Sequence, residues 1–214
     1  IADLKNGGDF KCFDQVRRVD LVFDPRQALK MVENVVKQIQ MRMEKLKNLG
    51  HGNLAEYHRS ETFLSKSKTE RLKDECGHRY FVIIDEFAEL VLNGGMLDSS
   101  EVKSAKEALS KISRLGRSCG VHLILATQRP DRNIVDVQVR SNLTSTVCFR
   151  LNDLGGSLAV LGSKTACELP QIKGRAIYLR GADEYEIQTP FLLPQKIDEL
   201  LVSQRKEVSD DDGI

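Results

Sequence analysis

Tyr80, Phe81, Val82, Ile83 and Ile84 form an unbroken apolar run that stops at two adjacent carboxylates, Asp85 and Glu86. A short continuous run rich in β-branched and aromatic residues predicts a strand buried on both faces of a parallel sheet. In open α/β sheets, ligands bind outside the carboxyl ends of the strands, so acids delivered there can reach a metal ion or a polarised water.

That pattern is the one expected of a Walker B strand. Asp85, last on the strand, suits Mg²⁺, a hard cation that takes oxygen ligands held on a rigid base. Glu86, one residue on, suits orientation or deprotonation of a water attacking a γ-phosphate. On these residues alone, an ordinary strand end whose acids face solvent or begin a helix fits equally well.

The chain has 214 residues, of which 41% are hydrophobic, enough for one substantial core. Its 32 basic and 31 acidic residues leave a net charge of +1, so any nucleic-acid contact must come from local patches. Cys12, Cys76, Cys119, Cys148 and Cys167 show no paired spacing, which suits a reducing compartment, and a cytoplasmic location is expected. Cys76 and His78 lack a second ligand pair at metal-site spacing, which argues against zinc. No run is long enough to cross a bilayer, so a membrane anchor is expected only outside this piece.

Turn residues Asn6, Gly7 and Gly8 follow a short strand at residues 1–5, and residues 19–23 are rich in β formers. Asp24 and Pro25 supply an N-cap and a first helical residue. Ala28, Val32, Val35, Ile39, Met43 and Leu46 then recur at helical spacing up to Gly50, with Arg42 and Lys45 expected on the solvated face. Residues 59–79 carry many charges and few apolar anchors, which predicts a mobile loop or short helix. Ser99 or Ser100 can cap a helix bearing Ala105, Ala108, Ile112 and Leu115. Val121 to Ala126 is a second buried strand, ending in Thr127, Gln128, Arg129 and Pro130. Further strands are expected at 144–150 and 174–180, with 184–189 pairing back across a turn and a last helix opening at Pro194. This alternation specifies a three-layer, mostly parallel α/β sheet with a C-terminal hairpin and helix.

Two segments then carry a resemblance: Ile83 to Leu90, reading IIDEFAEL, and Gly120 to Pro130, reading GVHLILATQRP. Together they resemble the RecA-like motor of the FtsK/SpoIIIE family of double-stranded DNA translocases. Met43-Glu44, Gly52 to Tyr57, Val139 to Asn142 and Gly174 to Leu179 extend the similarity over nearly the whole chain. The resemblance implies a homo-hexameric ring that hydrolyses ATP with Mg²⁺ at subunit interfaces and pulls duplex DNA through its pore. It makes Asp85 and Glu86 the Walker B pair, with Asp85 the metal ligand, and Gln128 a polar sensor of the γ-phosphate. Arg117 matches an arginine finger reaching the neighbouring subunit's phosphates. The plainer readings are a cation at a helix C-terminus for Arg117, an amide satisfying a strand end for Gln128, and a structural role for Thr127.

A phosphate cradle of the form GxxxxGK(S/T) is not found. Gly162-Ser163-Lys164-Thr165 has the wrong spacing and is read as a decoy. The expectation is therefore a motor domain over residues 1–205 whose Walker A part precedes Ile1, followed by a disordered acidic tail at 206–214. Such a piece is expected to bind ATP poorly by itself.

DNA contacts are assigned to Arg129, Arg132 and Arg140 after the sensor strand, and to Lys66, Lys68, Arg71 and Lys73 before the Walker B strand. Such contacts would go to phosphates, because a translocase must grip any sequence. Solvated surface charge is the alternative for each. Two other functions are open: a coupling ATPase of a conjugative or type VII secretion system, and a non-enzymatic, partner-binding relative.

Overall fold

The computed structural model describes residues 1–205 apart from 6, 9, 93–95, 130–133 and 135. In chain order the first elements are strand β1 (Ala2–Asp3), helix α1 (Pro25–Asn48) and three short helices, α2 (Leu54–Arg59), α3 (Glu61–Leu64) and α4 (Lys68–Lys73). Strand β2 (Tyr80–Asp85) leads through α5 (Ala88–Val91) and α6 (Ser99–Leu115) to β3 (Val121–Leu125). There follow α7 (Val137–Asn142), β4 (Ser145–Phe149), α8 (Leu154–Val160), α9 (Thr165–Glu168), β5 (Arg175–Arg180), β6 (Asp183–Gln188) and α10 (Pro194–Leu201).

The first three strands form a parallel sheet in the order β1-β2-β3, with Asp3 opposite Asp85 and Ile84 opposite both Ala2 and Leu125. Residues 19–23 do not make the expected strand; only Val22 bridges to Ala2 at the sheet's edge. The other sheet is an antiparallel meander, β4-β5-β6, in which Gly181 turns the predicted C-terminal hairpin at a φ of 64°.

Val82 and Ile84 project into the main core with Val32, Val35 and Ile39 of α1 and Val102, Ala105 and Ile112 of α6. Side chains alternate along a strand, so Phe81 and Ile83 fall on the other face, beside His122 and Ile124 of β3. That face is open: Phe81 is 56% and Ile124 45% exposed. The expectation of burial on both sides therefore holds for one, because the described residues supply helices to one face of the parallel sheet.

Helix α1 starts as predicted, with the Asp24 carboxylate accepting from the N–H groups of Arg26 and Gln27. Arg42 corrects the expected solvated face: it is buried, while Met43 is 39% exposed. Its guanidinium donates to the carbonyls of His78 (2.7 Å), Cys119 (2.9 Å) and Glu75 (2.5 Å), fastening α1 to the segments that enter β2 and β3. A buried cation is tolerable here because carbonyls that end strands and turns need donors.

Of the two forms expected for residues 59–79, a mobile loop or a short helix, the structure shows the helical one, as α3 and α4. Asn53, Ser60 and Ser67 cap α2, α3 and α4, the last through a reciprocal capping box with Glu70. Beneath them, buried Tyr57 donates to Asp74 at 2.6 Å, and Lys66 Nζ reaches both at 2.6 Å. Helix α6 is capped by Asp98 rather than by Ser99 or Ser100. All five cysteines are free, and among the described residues no helix is long and apolar enough to cross a membrane. The tail expected at 206–214 lies outside the described residues.

Candidate active site

The ladder between β2 and β3 outlasts both strands: Ala126 N–H donates to Ile84 and Phe87 N–H donates to Ala126, each at 3.0 Å. That pairing holds the residues after each strand side by side at the carboxyl edge of the sheet. Glu86 sits between the two links with a φ of 49°. A non-glycine residue in this left-handed region is unfavourable by roughly 1 kcal/mol or more, and such backbones cluster where side-chain aim matters. The consequence is a Glu86 side chain turned toward the end of β3, only 7% of the residue exposed. Thr127 Oγ1 donates to Glu86 Oε1 at 2.6 Å, and the Gln128 backbone N–H donates to Oε2 at 2.9 Å.

Asp85 lies on the same edge, half-buried, with its side chain on the open face of the sheet. Burial pushes its carboxyl pKa up, and the neighbouring Asp3 charge pushes it further; a hydrogen bond from the Glu86 backbone and the Lys5 charge work in the opposite direction. Asp3 is 1% exposed. Its Oδ2 accepts a long bond from Phe10 N–H at 3.4 Å, whereas Oδ1 has no partner among the described residues.

Of the residues assigned to the site, Asp85, Glu86 and Gln128 meet at one edge, and the Gln128 side chain is exposed there. Arg117 does not join them within one chain. It is exposed on the 3-10 turn Gly116–Cys119, which precedes β3 and so lies at the amino edge, roughly 16 Å away by strand rise. Thr127, given a structural role from sequence, is bonded to the Glu86 carboxylate, and its Oγ1 also accepts from Arg129 N–H. Asp3 was not singled out. Its signal was an acid ending a strand in register with the acid that ends the next strand.

The basic residues divide between the two edges. Arg129 stands at the carboxyl edge, paired with Glu89 at 3.2 Å, and Arg140 on α7 donates to the Ala159 carbonyl at 3.3 Å. Arg132 lies outside the described residues. Lys66 is committed to Asp74, Arg71 lies over the Phe63 ring, and Lys68 and Lys73 are exposed. Lys66, Lys68 and Arg71 line a cavity of about 410 Å³ with Phe63, Leu72, Gly77 and His78, toward the amino edge. They do not form one patch with Arg129 and Arg140. In the glycine-lysine decoy, the hydroxyls of Ser163 and Thr165 donate to Glu184, and Lys164 pairs with Glu168. Two carboxylates already occupy the hydroxyls and the ammonium of this stretch.

A parallel sheet of this order, with a buried glutamate and a neighbouring aspartate at its carboxyl edge, defines a RecA-like α/β domain of the P-loop ATPase class. The FtsK/SpoIIIE family model matches residues 3–132, more than half of the chain, and the chain belongs to that family. Among curated relatives it is 28% identical over 152 residues to the DNA translocase FtsK of Chlorobaculum tepidum, covering 67% of this chain and 17% of the relative. It is 26% identical over 190 residues to the DNA translocase SpoIIIE of Bacillus subtilis, covering 82% and 23%. The chain thus spans about a fifth of the length of these relatives. Among solved structures, the pCW3 conjugation coupling protein TcpA, with ATPγS, matches with a TM-score of 0.75 and 26% identity over 93% of this chain and 55% of that one. The cytoplasmic domain of the Thermomonospora curvata type VII secretion ATPase EccC shares the fold at a TM-score of 0.69 and 22% identity, covering 95% of this chain and 23% of that one.

Proposed function

We propose that this chain is the part of an ATP-driven double-stranded DNA translocase that supplies the Walker B acids and the polar strand end reading the nucleotide. The observation that carries the reading is the Glu86 carboxylate, held on both oxygens by Thr127 and Gln128 at the edge where Asp85 emerges. Family membership and the DNA translocases among its relatives support it.

Asp85 is the group on this chain to hold Mg²⁺. A half-buried carboxylate facing a second acid, Asp3, with an oxygen lacking a partner among the described residues, fits a hard divalent cation. An ion held there would supply positive charge against the phosphates of the bound nucleotide. Glu86 orients the attacking water and accepts its proton, with Thr127 and the Gln128 N–H fixing the carboxylate's direction. The exposed Gln128 amide contacts the γ-phosphate or that water. Arg117 serves the neighbouring subunit's site, which makes a closed homo-hexamer the natural assembly. Arg129, Arg132 and Arg140 are the candidate phosphate contacts to duplex DNA, with Lys68 and Lys66 a separate candidate set in which Lys66 would have to share its ammonium with Asp74. The domain works on the cytoplasmic side, with any membrane anchor outside this chain.

The test is duplex-stimulated ATP hydrolysis by the full protein, wild type against Glu86→Gln. A loss of about a hundredfold or more is expected from removing a water-orienting group. Equal rates would leave a non-enzymatic, partner-binding relative. The likeness to TcpA favours a second reading, a coupling ATPase of a conjugative or secretion system. Displacement of a third strand from a DNA triplex separates a duplex motor from a secretion ATPase: the first displaces it, whereas an ATPase that moves protein does not.

A further inference from the structure

The geometry points to Asp3 as a second carboxylate ligand of the divalent cation, a reading that rests on the metal role of Asp85 proposed above. Parallel register sets Asp3 directly beside Asp85 on the neighbouring strand, with both side chains on the same face of the sheet. Adjacent strands lie about 4.8 Å apart, a separation at which two carboxylates can share one cation. Asp3 is 1% exposed, so it has left water, and one of its two oxygens has no partner among the described residues. Among the described residues, the other oxygen accepts only the long bond from Phe10 N–H. A buried carboxylate in this state carries a desolvation cost that one long hydrogen bond offsets only in part.

A structural role does not account for the placement. An acid that only tied down residues 6–14 would use both oxygens on backbone N–H groups, and an apolar residue would fill the same space without repelling Asp85. A divalent cation between the pair supplies what is lacking, with positive charge against two acids and a partner for Oδ1. Among the described residues no third acid, histidine or cysteine converges to complete a protein cage. That suits Mg²⁺, which is usually held by one or two carboxylates and takes its remaining ligands from water and phosphate.

The test uses Mn²⁺ as the probe, titrated into the full chain and followed by the electron paramagnetic resonance signal of the free ion. Asp3→Asn should weaken Mn²⁺ binding about tenfold or more, as Asp85→Asn should. Asp3→Cys should exchange the preference for Mn²⁺ for one for Cd²⁺, since a thiolate selects the softer ion. In metal-free buffer Asp3→Asn should melt no lower than wild type, because its amide can donate to Asp85 and the repulsion is gone. An affinity within twofold of wild type in Asp3→Asn, with Asp85→Asn defective, overturns the role of Asp3 and leaves the proposed function standing. If neither change affects Mn²⁺ binding, the metal role of Asp85 falls as well. An Asp3→Asn chain that fails to fold or melts lower without metal overturns the inference too, since the carboxylate would then be structural.

Discussion

The Thr127 hydroxyl donates to the Glu86 carboxylate at 2.6 Å, although the two residues are 41 positions apart in the chain. This bond joins the ends of two parallel strands and fixes one of the two glutamate oxygens. The left-handed backbone at Glu86 is what makes the contact reachable. Thr127→Val keeps the shape and removes the donor. A hydrogen bond to a charged group is worth about 1.5–3 kcal/mol, so kcat for ATP hydrolysis should fall about tenfold or more with KM little changed. Steady-state kinetics of the full protein decide this; an unchanged kcat would return Thr127 to a purely structural role.

Arg117 stands at the opposite edge of the sheet from Glu86, exposed to solvent. Its replacement by alanine should alter stability by less than about 0.5 kcal/mol, as for most surface changes. Hydrolysis by the full protein should nevertheless drop at least a hundredfold if the guanidinium completes a neighbour's site. Mixing Arg117→Ala with Glu86→Gln chains should restore part of the activity, since some interfaces then pair an intact arginine with an intact glutamate. No recovery on mixing would argue that Arg117 acts elsewhere.

Arg42 donates to three carbonyls from inside the core. Arg42→Met fills similar space but leaves those acceptors without a donor. The expected cost is about 2–4 kcal/mol, read as a lower urea midpoint with an unchanged m-value. Arg42→Lys should cost less, since one ammonium can satisfy some of the carbonyls but not the full fork.

Asp74 carries a pH signature. Burial raises its carboxyl pKa, but Lys66 and the Tyr57 hydroxyl outweigh that and bring it down from 3.8 to about 2. A carboxylate depressed on folding stabilises the fold fully above its unfolded pKa and ceases to do so as pH falls through the folded value. About 2 kcal/mol at most should be lost between roughly pH 4 and pH 2. Asp74→Asn should flatten that part of the stability profile. Urea denaturation across this window, on both chains, is the measurement.

Local pattern made much of this legible. The run Tyr80 to Ile84, the cap at Asp24, the apolar stripe of α1 and the hairpin around Gly181 depend on neighbours within a few residues, and each element formed where its pattern lay. Arg42 departs from its expected solvated face, and Asp74 drew no expectation at all, for one reason. A charged residue on a helix or in a polar segment reads as solvated unless one knows which carbonyls or ammonium the fold brings to it. The order in the segment at 59–79 follows from Tyr57, Lys66 and Asp74 meeting beneath its surface.

By itself the sequence determined that two apolar runs would end in polar groups, because hydrophobic periodicity and turn chemistry act over short distances. It carried the family motifs as well. Tertiary structure alone decided that Glu86 would be clasped by Thr127, that Asp3 would lie in register with Asp85, and that Arg117 would stand at the opposite edge of the sheet. Those relationships depend on strand order and register, which are set by long-range burial in the core rather than by any stretch of neighbouring residues.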